Sequence, residues 1–217
     1  TGATTTYVSL DGDVITFKDL PIAAGLYDIS GVGSGTDIVI VDCLIQSAGT
    51  TDATRFGFDM SDTNLASFSM TGTRLIRAAA VAFKSGQTVT GNTFDDCGQI
   101  THGGADMRFC DVLNYEGTAD TGALSYNQSA DPDGEIDGMT FAKGTASTHA
   151  IEFGTAAPLS MTLRDIDFSG YNASNGQTDS TLYFARTSGT VVVVVAAVVD
   201  GVVVVAGGGG DAMVVVA

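Results

Sequence analysis

The 217-residue chain has no tryptophan, three prolines, three cysteines, and only nine lysines and arginines together. Each scarcity excludes something. The cysteines, Cys43, Cys97 and Cys110, are odd in number and include no CxxC pair, which argues against a disulfide framework and a zinc site. Buried free thiols are expected instead, as in a protein that folds in a reducing cytoplasm. Few cations against 25 acidic residues leave a net charge of −16 and a pI near 4.1. Such a surface repels phosphate backbones, so no nucleic acid is expected as a partner. Its plainest role is a solvated acidic coat. The chain opens on Thr1 rather than Met and shows no signal peptide, which reads as a processed or trimmed piece.

Long apolar runs are also missing before Thr190. Residues 190–217 differ from everything ahead of them, with 14 Val, 5 Ala, 5 Gly, 2 Asp, 1 Met and 1 Thr. Asp200 and Gly201 interrupt the run well short of the ~20 residues a membrane helix needs, so no membrane partner is expected. Runs of Val favour strands. The tract reads as small residues standing in for the true side chains along a strand backbone, and no chemistry is drawn from it.

What is abundant points to strands. Helix-favouring Glu, Lys, Gln and Arg are rare, while 28 glycines and frequent Thr, Ser, Asp and Asn suit short strands joined by tight turns. A pattern recurs: apolar, any, Asp or Gly, any, any, apolar, then usually a Gly. It runs IVDCLI from Ile40, MTGTRL from Met70, VTGNTF from Val89, FCDVLN from Phe109, IDGMTF from Ile136 and LRDIDF from Leu163, with a degraded VVAAVV from Val194. Asp and Gly in the third slot tolerate the left-handed backbone of a sharp corner. The sixth slot holds Ile45, Leu75, Phe94, Asn114, Phe141, Phe168 and Val199. Asn114 is the exception, and Leu113 or Tyr115 is expected to replace it through a local slip.

A period of 19–31 residues marks a unit that buries its apolar face only by stacking on its neighbours. Propeller blades need longer repeats, and leucine-rich and helical repeats need patterns absent here. The expected fold is a single right-handed parallel β-helix of about seven rungs over residues 34–217. Residues 1–33 form a first rung or end cap. Insertions near 50–66, 118–134, 145–159 and 171–187 are expected to project from a limited set of corners.

Coils of this kind resemble the parallel β-helix proteins: pectin-type lyases and hydrolases, phage tailspikes and bacterial adhesins. The stretch from Gly134 to Thr190, with EIDGMTFAKGT, HAIEFG, LRDIDFSGYN and TLYFARTSGT, is similar to virion structural proteins of tailed phages from aquatic environments. The similarity spans about half of the chain and rests on fold-like motifs. It implies a rod, trimeric in form, located in the virion and folded in the host cytoplasm. Its partners would be other virion proteins or copies of itself, and a host-surface carbohydrate is a further candidate. It carries over no catalytic residue, and no cofactor.

Candidate chemistry is sparse. Asp131-Pro132-Asp133-Gly134-Glu135-Ile136-Asp137 offers oxygen ligands around a glycine that could wrap calcium, but it lacks the distal bidentate Glu of an EF-hand; the plainer reading is an acidic turn. Asp95-Asp96, with Asp165 and Asp167 two rungs' worth of sequence away, could supply paired carboxylates for polysaccharide cleavage. Asp also forms turns, and Arg74, Arg77, Arg108, Lys143 and Arg164 are dispersed among the copies. His102 and His149 each follow Thr, match no ligand spacing and read as loop histidines. SGVGSG at 30–35 lacks the lysine of a phosphate loop and reads as a turn. Phe94, Phe141 and Phe168 share a slot and are expected to stack inward. Tyr115, Tyr126, Tyr171 and Tyr183 are expected in or beside loops, as contacts for sugar or protein. The leading expectation is a non-enzymatic virion protein. The rivals are a polysaccharide-cleaving β-helix, marked by a groove of clustered carboxylates, and a bacterial surface adhesin, marked by an upstream secretion signal.

Overall fold

The computed structural model describes residues 6–12, 14–17, 28–30, 35–47, 55–115, 121–126, 134–144, 149–154, 160–171, 181–184, 191–195, 198–200, 205–207 and 212–216. Among the described residues there is no helix, and so none long and apolar enough to cross a membrane.

The strands form three parallel sheets of nine, eight and eight strands. The first stacks Thr6–Asp11, Thr36–Val41, Leu65–Thr71, Thr88–Thr90, Asp106–Arg108, Gly134–Asp137, Ser160–Arg164, Val191–Val195 and Ala212–Val216. The second stacks Val14–Phe17, Leu44–Ser47, Arg74–Ile76, Thr93–Asp95, Asp111–Tyr115, Thr140–Lys143, Ile166–Ser169 and Val198–Asp200. The third stacks Asp28–Ser30, Phe56–Asp59, Ala78–Ala82, Ile100–Thr101, Gly122–Tyr126, His149–Phe153, Leu182–Phe184 and Val205–Gly207. The chain visits the sheets in turn and adds each strand beside the one laid down a turn earlier. The protein is a parallel β-helix.

The repeats counted from Ile40 are the turns of this coil. The strands of 6–17 and 28–30 form a turn ahead of them, paired in register through Leu10 with Ile40 and Ile15 with Ile45. The described strands thus complete eight turns, and Ala212–Val216 opens a ninth.

Alternation along each strand sends every second side chain inward, where it meets its counterparts above and below. In the first sheet Ile40, Met70, Val89, Met107, Ile136 and Leu163 stack, all essentially inaccessible. The second sheet contributes Ile45, Leu75, Phe94, Val112, Phe141 and Phe168. Phe94, Phe141 and Phe168 do point inward, and the last two stack with centroids 5.6 Å apart. Each buried Phe contributes about 1.5–3 kcal/mol relative to exposure. A second aromatic group, Phe58, Phe68 and Phe83, fills the lower coil with centroids 5.9–6.2 Å apart.

Two slots of the repeat are corrected. Met107, not Phe109, occupies the apolar slot beside Val89, so the fourth copy begins two residues earlier than its FCDVLN motif suggests. Val112 then takes the place assigned to Asn114, Leu113 or Tyr115. In the last copy Val195 rather than Val194 pairs with Leu163.

The first corner, between the first and second sheets, takes no insertion. Most of its turns span two residues, and Gly12, Asp42, Gly72, Gly91, Phe109, Gly138 and Asp165 all have positive φ. The insertions lie at the other two corners, between the second and third sheets and between the third and first. Behind the first corner runs an internal column: Cys43, Thr73, Asn92, Cys110, Met139 and Ile166, each at most 3% exposed. Its lower half is hydrogen-bonded. Cys43 N donates to Thr73 Oγ1 at 3.2 Å, and Thr73 N to Asn92 Oδ1 at 2.9 Å. Asn92 Nδ2 donates to Met70 O at 2.9 Å, and Cys110 Sγ to Val89 O at 3.4 Å. These side chains satisfy buried backbone groups at a bend where the sheet ladders are interrupted.

Candidate functional site

Asp95 closes its strand, and Asp96 turns the second corner with φ 52, in line with Arg77 (φ 58) below and Asn114 (φ 54) above. That corner gathers cations that lie 19–41 residues from the carboxylates in sequence. Arg55, only 8% exposed, donates through Nη2 to Asp96 Oδ1 at 3.0 Å and through Nη1 to Asp96 O at 3.1 Å. Arg77 Nε stands 3.4 Å from Asp96 Oδ2, while its Nη1 donates to Ser47 O at 3.0 Å. Arg74 Nη2 donates to Asp95 Oδ2 at 2.5 Å, and Asn114 Nδ2 to Asp95 Oδ1 at 2.8 Å.

The electrostatics follow. Partial burial pushes the Asp95 carboxyl upward, but the Asn114 amide and the Arg74 guanidinium, helped by Arg77, outweigh it and hold the group below its ordinary value. A general acid needs the opposite, a carboxyl whose proton is retained near neutrality. The pair is a clasp across four turns of the coil. Of the cations dispersed among the copies, Arg74 and Arg77 stand at this corner, joined by Arg55, which the sequence pattern did not single out. Arg108 faces Asp106 at 2.6 Å and Asp137 at 3.9 Å on the first sheet.

Asp165 and Asp167 do not join Asp95 and Asp96. Asp165 is an exposed corner residue, and Asp167 lies in register with Thr140, three strands beyond Asp95 in the second sheet. At ~4.8 Å per strand the separation is about 14 Å along the coil, against the ~5–9.5 Å of glycosidase carboxyl pairs. Within the calcium candidate, 131–133 lie outside the described residues; Asp137 is buried on the first sheet near Arg108. SGVGSG at 30–35 lies largely outside them as well, with Gly35 at a turn of positive φ. Among the described residues no three His, Cys, Asp or Glu side chains converge as a metal site.

Both histidines are buried rather than surface groups, and His149 lies in a strand rather than a loop. His102 is 1% exposed, in the inward column of the third sheet after Phe83, and its ring lies 4.5 Å from that of Tyr126. His149 begins a strand, is fully buried and stacks on Tyr183 at 4.4 Å with rings nearly parallel. Three of the four tyrosines expected in contact loops are likewise interior: Tyr115, Tyr126 and Tyr171. Burial raises the Tyr115 and Tyr171 hydroxyls above their ordinary range. Only Tyr183 keeps a partly accessible face.

Sequence reasoning passed over Glu152. On the third sheet its Oε2 accepts from Gln99 Nε2 at 2.9 Å and from Gly122 N at 3.1 Å, joining three successive turns. Gly122 has no room for a side chain, since a Cβ would stand 2.5 Å from Glu152 N. A lone Glu in IEFG carries no signal for this.

No protein-family model, curated protein or solved structure matches this chain.

Proposed function

We propose that the chain is a non-enzymatic structural component of a virus particle: a spike, fibre or capsid decoration of a tailed phage. Its action is mechanical. Three continuous backbone ladders around an apolar interior make a stiff rod, and the corner loops contact neighbouring subunits or a host surface. The observation that carries this reading is the state of Asp95 and Asp96, the acidic pair best suited to polysaccharide cleavage, which are held by Arg55, Arg74 and Arg77 with Asp95 kept ionised. Buried thiols at Cys43, Cys97 and Cys110 support folding in the host cytoplasm before release in the virion. Open coil ends expose strand edges, which favours docking or self-association, and a homotrimer is the expected form.

Electron cryomicroscopy of the particle that carries this chain tests the proposal. The expected result is an ordered rod docked on the capsid or tail. Release of reducing ends from a polysaccharide by the purified chain would replace it with the enzymatic reading.

A further inference from the structure

Four residues, His102 to Ala105, carry the chain across the third corner, from the strand ending at Thr101 to the one starting at Asp106. They form a tight turn: Ala105 N donates to His102 O at 3.1 Å, and Gly103 and Gly104 both have positive φ. A Cβ at Gly103 would collide with Phe83 O, so this segment is pressed onto the turn of the coil before it. The His102 ring takes part as well. Its Nδ1 accepts from Gly104 N at 3.2 Å, much as an Asn or Asp side chain accepts from its own backbone two residues on. The acceptor role fixes the tautomer: the ring is neutral and carries its proton on Nε2.

A second proton has no place there. The ring is buried in the inward column between Phe83 and Tyr126, with Nε2 closed off from solvent. A proton on Nδ1 would turn the acceptor into a donor aimed at the Gly104 N–H, and would set a charge in the interior. The charged and titratable groups on the surrounding elements are engaged elsewhere. Lys84, beside Gly103, donates through Nζ to Asp62 O and Leu65 O. Asp106, just past the turn, is held by Arg108 at 2.6 Å. Glu152, in register with Ser125, accepts from Gln99 Nε2 and Gly122 N, and His149 stacks on Tyr183. The Tyr126 ring, 4.5 Å away, attracts a cation by less than burial of the charge costs.

We infer that His102 is an acid-sensitive catch on the third corner: neutral, it holds the 102–105 turn closed; protonated, it releases the turn and leaves its column between Phe83 and Tyr126. The unfolded chain takes up a proton at the ordinary histidine value of about 6.5, and the closed turn refuses it. The closed turn therefore loses ground as pH falls below that value. Between pH 7.5 and 5.5 one refused proton lowers the folding equilibrium about tenfold. The Asp95 carboxyl acts below its ordinary 3.8 and leaves this range untouched. The inference goes beyond the mechanical role and holds whether or not the rod belongs to a particle.

Urea unfolding of the full chain at pH 7.5 and 5.5 tests it, against His102→Asn, whose amide oxygen accepts from Gly104 N at either pH. Across that range the wild-type folding equilibrium should fall about tenfold more than that of the variant. His149 and the carboxylates are common to both proteins and cancel in the comparison. Equal falls overturn the inference. Nitrogen NMR of the wild-type ring needs no variant: the folded chain should keep the neutral Nε2–H tautomer at pH 5.5, while the Gly104 amide loses protection from exchange over the same range. A ring that titrates in the folded chain at or above about pH 6.5, or one that carries its proton on Nδ1, overturns the catch.

Discussion

The Phe109 ring lies across the bare α-carbon of Gly138, one turn further along the coil, so that position 138 has no room for a side chain while the ring is there. Gly138→Ala meets two penalties: a Cβ in the ring's space and a side chain at φ 63. Together they cost about 1–3 kcal/mol. In a Phe109→Gly background only the backbone penalty remains, and that background itself gains about 1 kcal/mol by relieving strain at φ 55. A double-mutant cycle in urea reads the coupling as the part of the Gly138→Ala cost that disappears.

Asn92 is the most demanding residue of the internal corner column, because its amide bonds twice to the turn below, as acceptor from Thr73 N and as donor to Met70 O. Replacing it with Leu strands Thr73 N in the interior and removes a second donor from Met70 O, which keeps its place in the first-sheet ladder. The expected loss is about 2–4 kcal/mol, about 1–3 for the unpaired amide and about 1 for the other lost bond. Thr73→Val should cost less, as it strands only Cys43 N. Hydrogen exchange checks the mechanism: the Thr73 amide loses protection in the Asn92 variant before the sheet amides on either side do.

The second-corner clasp makes stability depend on acid. Asp95 titrates below its ordinary value of 3.8 in the folded protein, so the unfolded chain binds its proton more tightly. Its contribution is therefore complete well above pH 3.8 and fades as pH falls through the depressed folded value. Asp95→Asn should flatten the acid limb of the urea midpoint between neutrality and about pH 2. Arg55→Ala should destabilise at neutral pH by about 2 kcal/mol, less than the 3–5 of a fully buried pair because Asp96 is 29% exposed.

The thiols should be silent in the native rod. Burial pushes Cys97 up to about 12 and Cys110 up to about 11. At pH 8 on the order of one such thiol in a thousand, or fewer, is ionised. Iodoacetamide should label none of the three cysteines without denaturant and all three in urea. Mass spectrometry of labelled peptides separates Cys43, Cys97 and Cys110.

The coil was legible because inward residues recur in kind: Ile40, Met70 and Val89 stack on one another and share a slot in the repeat. The slip at the fourth copy has a physical origin. Corners are recognised by Gly or Asp, and Phe109 at a corner looks like a core residue, which drags the alignment two places along. Asn114 then seemed to break the apolar slot, although it is a corner residue above Asp96. The clasp was invisible for another reason. Arg55, Arg74 and Arg77 are dispersed along the chain, and only the turn length of the coil makes 19–41 residues a distance of one or two strands. Burial of His102 and His149 left no trace either, because pairing with Tyr126 and Tyr183 depends on which turn lies above which.

The turns differ in how much chain they consume. Met70, Val89 and Met107 succeed one another at intervals of 19 and 18 residues, whereas Ile40 to Met70 takes 30 and Leu163 to Val195 takes 32. Closing a shorter loop costs less entropy, and a stacked array can start anywhere and grow by neighbours. The coil should therefore zip from its middle outward, with the waist around Val89 forming first and the two ends last. Pulse-labelled hydrogen exchange during refolding would show this as early protection at Val89 and Met107; earlier protection at Ile40 or Leu163 would refute it.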